Sequence, residues 1–220
     1  MADMTVMPSR EEWLVRRSKT IGGSDAACVI GKNPWKSNVQ LWKEMTGKAK
    51  PKDVSNNPLV QYGTDAEAPL RELFALDYPE LKVEYEPNNI WTNENYPFAH
   101  ASLDGWFTDA NGRKGGLEIK TTLVIASQKK EEWKDRIPDN YFTQVIHSFM
   151  VTDFDVWCLK AQLKWAFPND DNKVYLQTRH YWIDRKDVEE DIEFLCKCEQ
   201  EFWWKVRHNE KPYEILPDLS

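Results

Sequence analysis

The sequence predicts an α/β (α+β) fold in which a β-sheet is flanked by helices, and three observations predict it. Residues 101–122, ASLDGWFTDANGRKGGLEIKTT, read as a β-hairpin. Residues 155–165 and 173–183 alternate apolar and polar side chains, as late antiparallel strands do, with a turn over 168–172 between them. Segments with helical stripes precede, separate and follow these strands. At 220 residues, 41% hydrophobic and with 11 Trp, the chain has material for one sizeable core, so a single domain over 1–220 is expected. The net charge of −7 excludes a whole-molecule basic field. A nucleic-acid partner would have to meet a local basic patch or a metal-filled acidic site.

Taken in order, residues 1–8 read as a flexible tail. Residues 9–17 read as a helix with Ser9 as cap and Glu12 three positions on, a capping box. In Ile21-Gly22-Gly23-Ser24-Asp25 the glycines free the backbone, Ser24 or Asp25 caps a short apolar helix, and Gly31 ends it. The free N–H groups and hydroxyl at that helix start suit a phosphate, with Arg16 or Arg17 to grip it; an ordinary cap explains the same residues. Residues 38–47 form a short helix. Residues 48–57 are polar, lysine-rich and broken by Pro51, and read as a mobile loop. Residues 58–76 are helical on both sides of Gly63. Glu67 on that helix is either a third acidic ligand or a surface glutamate. Residues 81–85 read as a strand that 89–92 extends or pairs with, and 97–103 lead into the strand of Asp104. Residues 127–136 read as a charged helix. A longer helix follows over 141–151, with Tyr141, Gln144 and Ser148 on one face. Residues 187–209 form the closing helix, with Val188, Ile192, Leu195, Phe202 and Val206 as its apolar seam.

The chemistry concentrates in the hairpin. Leu117-Glu118-Ile119-Lys120 puts Glu118 and Lys120 on one strand face and Leu117 and Ile119 on the other. Turn residues 109–112 and Gly115-Gly116, read as turn and bulge chemistry, bring Asp104 back beside Glu118. Two carboxylates meeting at a strand end beside a lysine suit a hard divalent cation that keeps waters for substrate phosphates. Cys28, Cys158, Cys196 and Cys198 match no zinc or iron–sulfur spacing and read as reduced thiols. No stretch approaches ~18 apolar residues, and a soluble, cytoplasmic protein without membrane contact is expected.

Several motifs together carry a resemblance. Arg17 with Ile21-Gly22-Gly23-Ser24-Asp25, Gly31 through Asn33-Pro34-Trp35-Lys36-Ser37 to Thr46-Gly47, and Gly63 with Glu67-Ala68-Pro69 come in this order. Ser102-Leu103-Asp104-Gly105, Leu117-Glu118-Ile119-Lys120 and Pro138 with Tyr141 and Gln144 follow. The chain resembles the YqaJ-like viral recombinase family, relatives of phage lambda exonuclease in the PD-(D/E)xK nuclease superfamily, over roughly 9–210. Leu103 stands where many relatives have proline, which leaves that turn less rigid.

The resemblance implies a central mixed β-sheet flanked by helices, a PD-(D/E)xK restriction-endonuclease-like core. It implies a Mg²⁺-dependent exonuclease, phage or prophage encoded, that digests linear duplex DNA from the 5′ end. Such an enzyme releases mononucleotides and leaves a 3′ overhang for single-strand-annealing recombination. Asp104, Glu118 and the Ile119 carbonyl would bind the metal, with Glu67 at a second ion or outer shell and Mn²⁺ able to substitute. Lys120 would position or activate water, Gln144 would orient that water or a phosphate, and Tyr141 would support it. Arg17, Ser24 and Ser102 would grip the 5′ phosphate, with Tyr141 beside them. A ring-shaped homotrimer around DNA ends and a phage single-strand annealing partner are implied as well. The competing readings are a restriction-type or Cas4-like nuclease, an inactive DNA-binding module, and a tryptophan-packed scaffold unrelated to nucleic acid.

Overall fold

A five-stranded sheet built largely around one hairpin forms the centre of the computed structural model, which describes residues 1–124, 133–166 and 174–215. Strand β3 (Lys82–Glu84) pairs antiparallel with β6 (Gly105–Thr108), and β6 pairs antiparallel with β7 (Lys114–Val124). Strand β7 then runs parallel to β8 (Val156–Ala166) from Gly115↔Val156 to Val124↔Trp165, and β8 is antiparallel to β9 (Val174–Asp184). A parallel pair needs a crossover, and the helix α5 (Asp139–Thr152) lies within the one between β7 and β8. The turn of the β6–β7 hairpin is closed by Asp109, whose Oδ1 accepts from the N–H groups of Asn111 and Arg113 at 2.9 Å each.

Alternation along the strands divides the core between two faces. Trp157, Leu159, Ala161 and Leu163 of β8 pack with Phe149 and Met150 of α5 and with Ile192, Leu195 and Phe202 of α6 (Glu189–Arg207). Leu117 and Ile119 of β7 and Val156 and Cys158 of β8 pack with Leu70 and Phe74 of α4 (Pro58–Asp77). Glu118 and Lys120, being out of phase with Leu117 and Ile119, therefore belong to the α5 face. The helix α1 (Arg10–Arg17) starts as its sequence indicates: Ser9 Oγ accepts from the Glu12 N–H at 3.2 Å.

Four expectations are corrected. Residues 1–8 are not a free tail, because β1 (Ala2–Val6) pairs antiparallel with β4 (Asn89–Asn93). Residues 89–92 accordingly do not extend β3; they build this separate two-stranded sheet. Gly115 and Gly116 are neither turn nor bulge. They lie in register within β7, where a Cβ would come within 2.2 Å of the Phe107 ring and 2.4 Å of the Trp157 ring. Their missing side chains let two large rings lie flat on the sheet. The helix α2 (Gly23–Val29) begins two or three residues earlier than expected, with Gly22 as its N-cap and no side-chain cap from Ser24 or Asp25. The expected helix over 127–136 lies mostly outside the described residues, and 133–136 form turns. The expected turn over 168–172 also lies outside them. Residues 48–57, the expected loop, contain no helix or strand. Short strands β2 (Ile21–Gly22) and β5 (Ala99–His100), paired in parallel, and helix α3 (Asn38–Met45) complete the order.

Candidate active site

The site is a notch made by unequal strand lengths. Pairing of β6 with β7 ends at Gly105↔Leu117, but β7 continues to Val124. From Glu118 onward the β7 edge facing β6 has no strand partner among the described residues. Asp104 immediately precedes β6 and fills the first open position: its Oδ2 accepts from the Ile119 N–H at 2.8 Å. A strand residue directs its N–H and C=O to the same side, so the Ile119 carbonyl faces this notch too. On the α5 face, Glu118 Oε1 lies 2.6 Å from Lys120 Nζ and accepts from Gln144 Nε2 at 2.7 Å. Lys120 Nζ lies 5.2 Å from the centre of the Tyr141 ring.

Burial sets the electrostatics. The Glu118 side chain is only 2% exposed. Desolvation pushes its carboxyl up to about 7; Lys120 pulls it down and Asp104 pushes it up further. Asp104 is also raised, first by desolvation, against the pull of Lys120, the Ile119 N–H and Arg71. Glu67, on α4, is pushed up to about 7 by burial and then by Asp104. Desolvation alone would lower Lys120, but Glu118 and Asp104 hold it above the ordinary lysine value, so it stays an ammonium. One ammonium thus faces several acidic groups that burial has made hard to ionise together.

The residues read as a phosphate seat lie beside this notch. Burial lowers Arg17, and the charges that act on it include Asp25, Asp104 and Glu118. Its guanidinium lies 4.2 Å from the centre of the Trp13 ring, which Arg10 also covers at 4.1 Å. No carboxylate is within ion-pair distance of Arg17 among the described residues. Ser102 Oγ is buried without a hydrogen-bond partner in the same set. Ser24 is exposed on the first turn of α2. Gly23 admits Gln144: a Cβ there would come within 3.1 Å of Gln144 Cγ. The Gly-Gly-Ser turn and the Gln144 helix therefore meet because one side chain is absent.

Three residues that sequence reading left unassigned hold this arrangement. Arg71 donates to the Asp104 carbonyl oxygen at 2.6 Å and lies over the Tyr85 ring at 3.6 Å. His147, one turn from Gln144, contacts Glu199 Oε1 through Nδ1 at 2.7 Å and the His100 carbonyl oxygen through Nε2 at 2.9 Å. Both partners can accept, an arrangement that favours a ring donating from both nitrogens. Burial opposes the charge of such a ring, but Glu199 overrides it and raises the group. The signals were available: Arg71 is one turn from Glu67, and Glu199 is a lone acid within an apolar helical seam.

The donor set fits a hard divalent cation in part. Asp104 uses Oδ2 and Glu118 uses Oε1 for protein partners, leaving one oxygen of each for an ion. The raised carboxyls mark a deficit of positive charge that a cation would relieve. Among the described residues no group of three or more His, Cys, Asp or Glu is placed to hold an ion. Glu67 acts on Asp104 and Glu118 through its charge, but the three acids do not form a ready ligand group among the described residues. The remaining ligands would be the Ile119 carbonyl, water and substrate oxygens, as Mg²⁺ commonly accepts. No helix among the described residues is long and apolar enough to cross a membrane.

Comparisons with known proteins bear on the fold and the family. Over 91% of the chain the fold is similar to an alkaline exonuclease, LHK-Exo, from Laribacter hongkongensis, covering 96% of that chain with 17% identity and a TM-score of 0.59. It is also similar to a phage-related exonuclease from Haemophilus somnus 129PT, with 14% identity, 86% and 96% coverage and a TM-score of 0.57. The uncharacterized protein YqaJ of Bacillus subtilis (strain 168) is 31% identical over 196 residues, 89% of this chain. The chain spans 56% of that relative's length. The family profile of the YqaJ-like viral recombinase domain matches residues 12–155, which contain Asp104, Glu118, Lys120, Gln144 and Arg17. The chain belongs to the YqaJ-like viral recombinase domain family.

Proposed function

We propose that the protein is a divalent-metal-dependent exonuclease that hydrolyses linear duplex DNA from 5′ ends and releases mononucleotides. The observation that carries this reading is the Asp104–Glu118–Lys120 notch, in which two part-satisfied carboxylates and one ammonium converge at an open strand edge. Family membership and the fold shared with two exonucleases support it.

Asp104, Glu118 and the Ile119 carbonyl would hold Mg²⁺ or Mn²⁺, with Glu67 in an outer shell or at a second ion. Bound there, the ion would polarise a phosphoryl oxygen and acidify water. Lys120, as an ammonium, donates hydrogen bonds; it orients the attacking water and meets charge developing on phosphorus, and it is not the base. Gln144 spends its amide N–H on Glu118 and keeps its amide oxygen to accept from that water. Tyr141 walls the ammonium from above. Arg17, Ser102 and Ser24 receive the terminal phosphate, which fixes register without reading sequence. The product would be a 3′ overhang suited to single-strand-annealing recombination. The free cysteines fit a cytoplasmic setting. A trimeric ring would present basic residues to DNA while leaving the outer surface acidic; sedimentation as a monomer at micromolar concentration would count against it.

The test is digestion of end-labelled linear duplex with Mg²⁺, comparing 5′-phosphate with 5′-hydroxyl ends. Mononucleotide release, faster from phosphorylated ends, is expected. Cleavage of closed circles would point to an endonuclease, and no release at all would leave a binding module.

A further inference from the structure

A second cleft lies on the side of the molecule where α1, α3 and α6 approach. It encloses about 630 Å³, and Lys19, Lys48 and Arg207 line it with Ser18, Met45 and Trp203. None of the described residues lining it is acidic, in a chain of net charge −7. Lys48 is fixed there by a hydrogen bond to Asn209 Oδ1 and by its position 4.2 Å over the Trp42 ring. It also opens the loop that carries exposed Lys50 and Lys52. Trp203, Met45 and Val206 give the same cleft an apolar lining beside the cations. Cations beside an aromatic lining suit a flexible strand, whose phosphates meet the cations while its bases stack.

The cleft also adjoins a smaller one that reaches Arg17. This smaller neighbouring cleft of about 280 Å³ is lined by Arg17, Thr20 and His100 and by Asp25 and Glu44, both paired with Lys36, and it shares Ser18 and Met45 with the larger one. We propose that the Lys19/Lys48/Arg207 cleft binds single-stranded DNA and carries the strand that cleavage leaves intact away from the notch. The binding stands on the cleft alone; the identity of the strand rests on the nuclease reading.

The experiment measures anisotropy of a labelled 5′-hydroxyl oligothymidine with the full chain in Ca²⁺. The Lys19→Gln/Arg207→Gln variant should bind about tenfold more weakly, and its slope of log affinity on log salt should fall by about 1.4, two single-strand phosphate contacts. A Lys82→Gln/Lys186→Gln control removes the same charge from exposed positions elsewhere and should bind as the parent does. Should the cleft pair fail to fold by circular dichroism, Lys19→Gln alone, at an exposed residue just after α1, carries the test with half the slope change. Equal weakening in the control, or unchanged binding in the cleft variant, would overturn the proposal. So would full displacement by an equimolar thymidine mononucleotide, since a strand site needs several phosphates. If the parent releases no nucleotide from duplex DNA with Mg²⁺ while the cleft variant loses strand binding, the cleft stands and the nuclease reading falls.

Discussion

Two clusters in this molecule have the same ingredients, two carboxylates and one lysine, and they are built differently. In one, Lys36 Nζ sits 3.0 Å from both Asp25 and Glu44, so one amine bridges an oxygen of each carboxylate. Its partners lie on α2 and α3, and the lysine follows an Asx turn in which Asn33 Oδ1 accepts from the Trp35 and Lys36 N–H groups at 2.8 and 3.0 Å. In the other, Lys120 Nζ pairs among the described residues only with Glu118, on an oxygen also used by Gln144, and Asp104 leans on a backbone N–H. The first cluster is closed and ties two helices together. The second is left short of positive charge where the strand edge opens. The difference teaches that ion-pair chemistry alone does not mark a site; incomplete compensation beside accessible backbone does.

That contrast can be broken by exchanging the expected losses. Lys120→Ala should lower kcat about a thousandfold while leaving DNA-end binding in Ca²⁺ within about twofold, because the lysine acts on developing charge. Wild-type-like turnover would remove it from the mechanism. Lys36→Ala should instead cost about 1–3 kcal/mol of stability, its pairs being only partly buried, and lower Tm by about 5 °C. Its turnover at low temperature should persist. If thermal melts of the two variants show the opposite pattern, the roles are reversed.

A smaller effect sharpens the boundary between the clusters, where Arg17 lies. Arg17→Ala should reduce the preference for 5′-phosphorylated over 5′-hydroxyl ends about tenfold, the scale of one charge-assisted hydrogen bond. An unchanged ratio in an end-labelled competition assay would move the phosphate seat elsewhere.

The smallest effect concerns pH. Burial first, and then Arg17 and His147, lower His100 to about 3, so the folded protein keeps it neutral. The unfolded chain takes up that proton below about 6.5, so stability is present above that value and is lost as pH falls toward about 3. Between about pH 7 and 5.5 the loss should be about 1 kcal/mol. His147 behaves oppositely: its raised group adds stability below its ordinary value that fades as pH rises through the raised one. His100→Gln should flatten the acid limb of a Tm–pH profile and leave the alkaline limb. A profile unchanged by that substitution would contradict the assignment.

Much of this was legible in the sequence, for a physical reason. Alternation in Leu117-Glu118-Ile119-Lys120 dictates which side chains share a face, and turn residues 109–112 fold Asp104 back onto the strand. The capping box at Ser9 is local and was equally readable. What escaped depends on distant partners. Nothing near residues 2–6 announces that β4 will pair with them, and nothing near Gly115-Gly116 announces the rings of Phe107 and Trp157. Glu199 interrupts the apolar seam of the closing helix, and only the facing His147 gives it a partner. The notch itself arises from the unequal lengths of β6 and β7, which hydrophobic periodicity does not encode.

The most direct test of the charge deficit is calorimetric titration of the full chain with Mn²⁺ in the presence of a 5′-phosphorylated linear duplex kept intact by Lys120→Ala. Heat of ion uptake is expected with that variant, and its loss when Asp104→Asn or Glu118→Gln is added. Uptake that survives both additions, or none with Asp104 and Glu118 in place, would contradict the central claim that these two carboxylates await a cation.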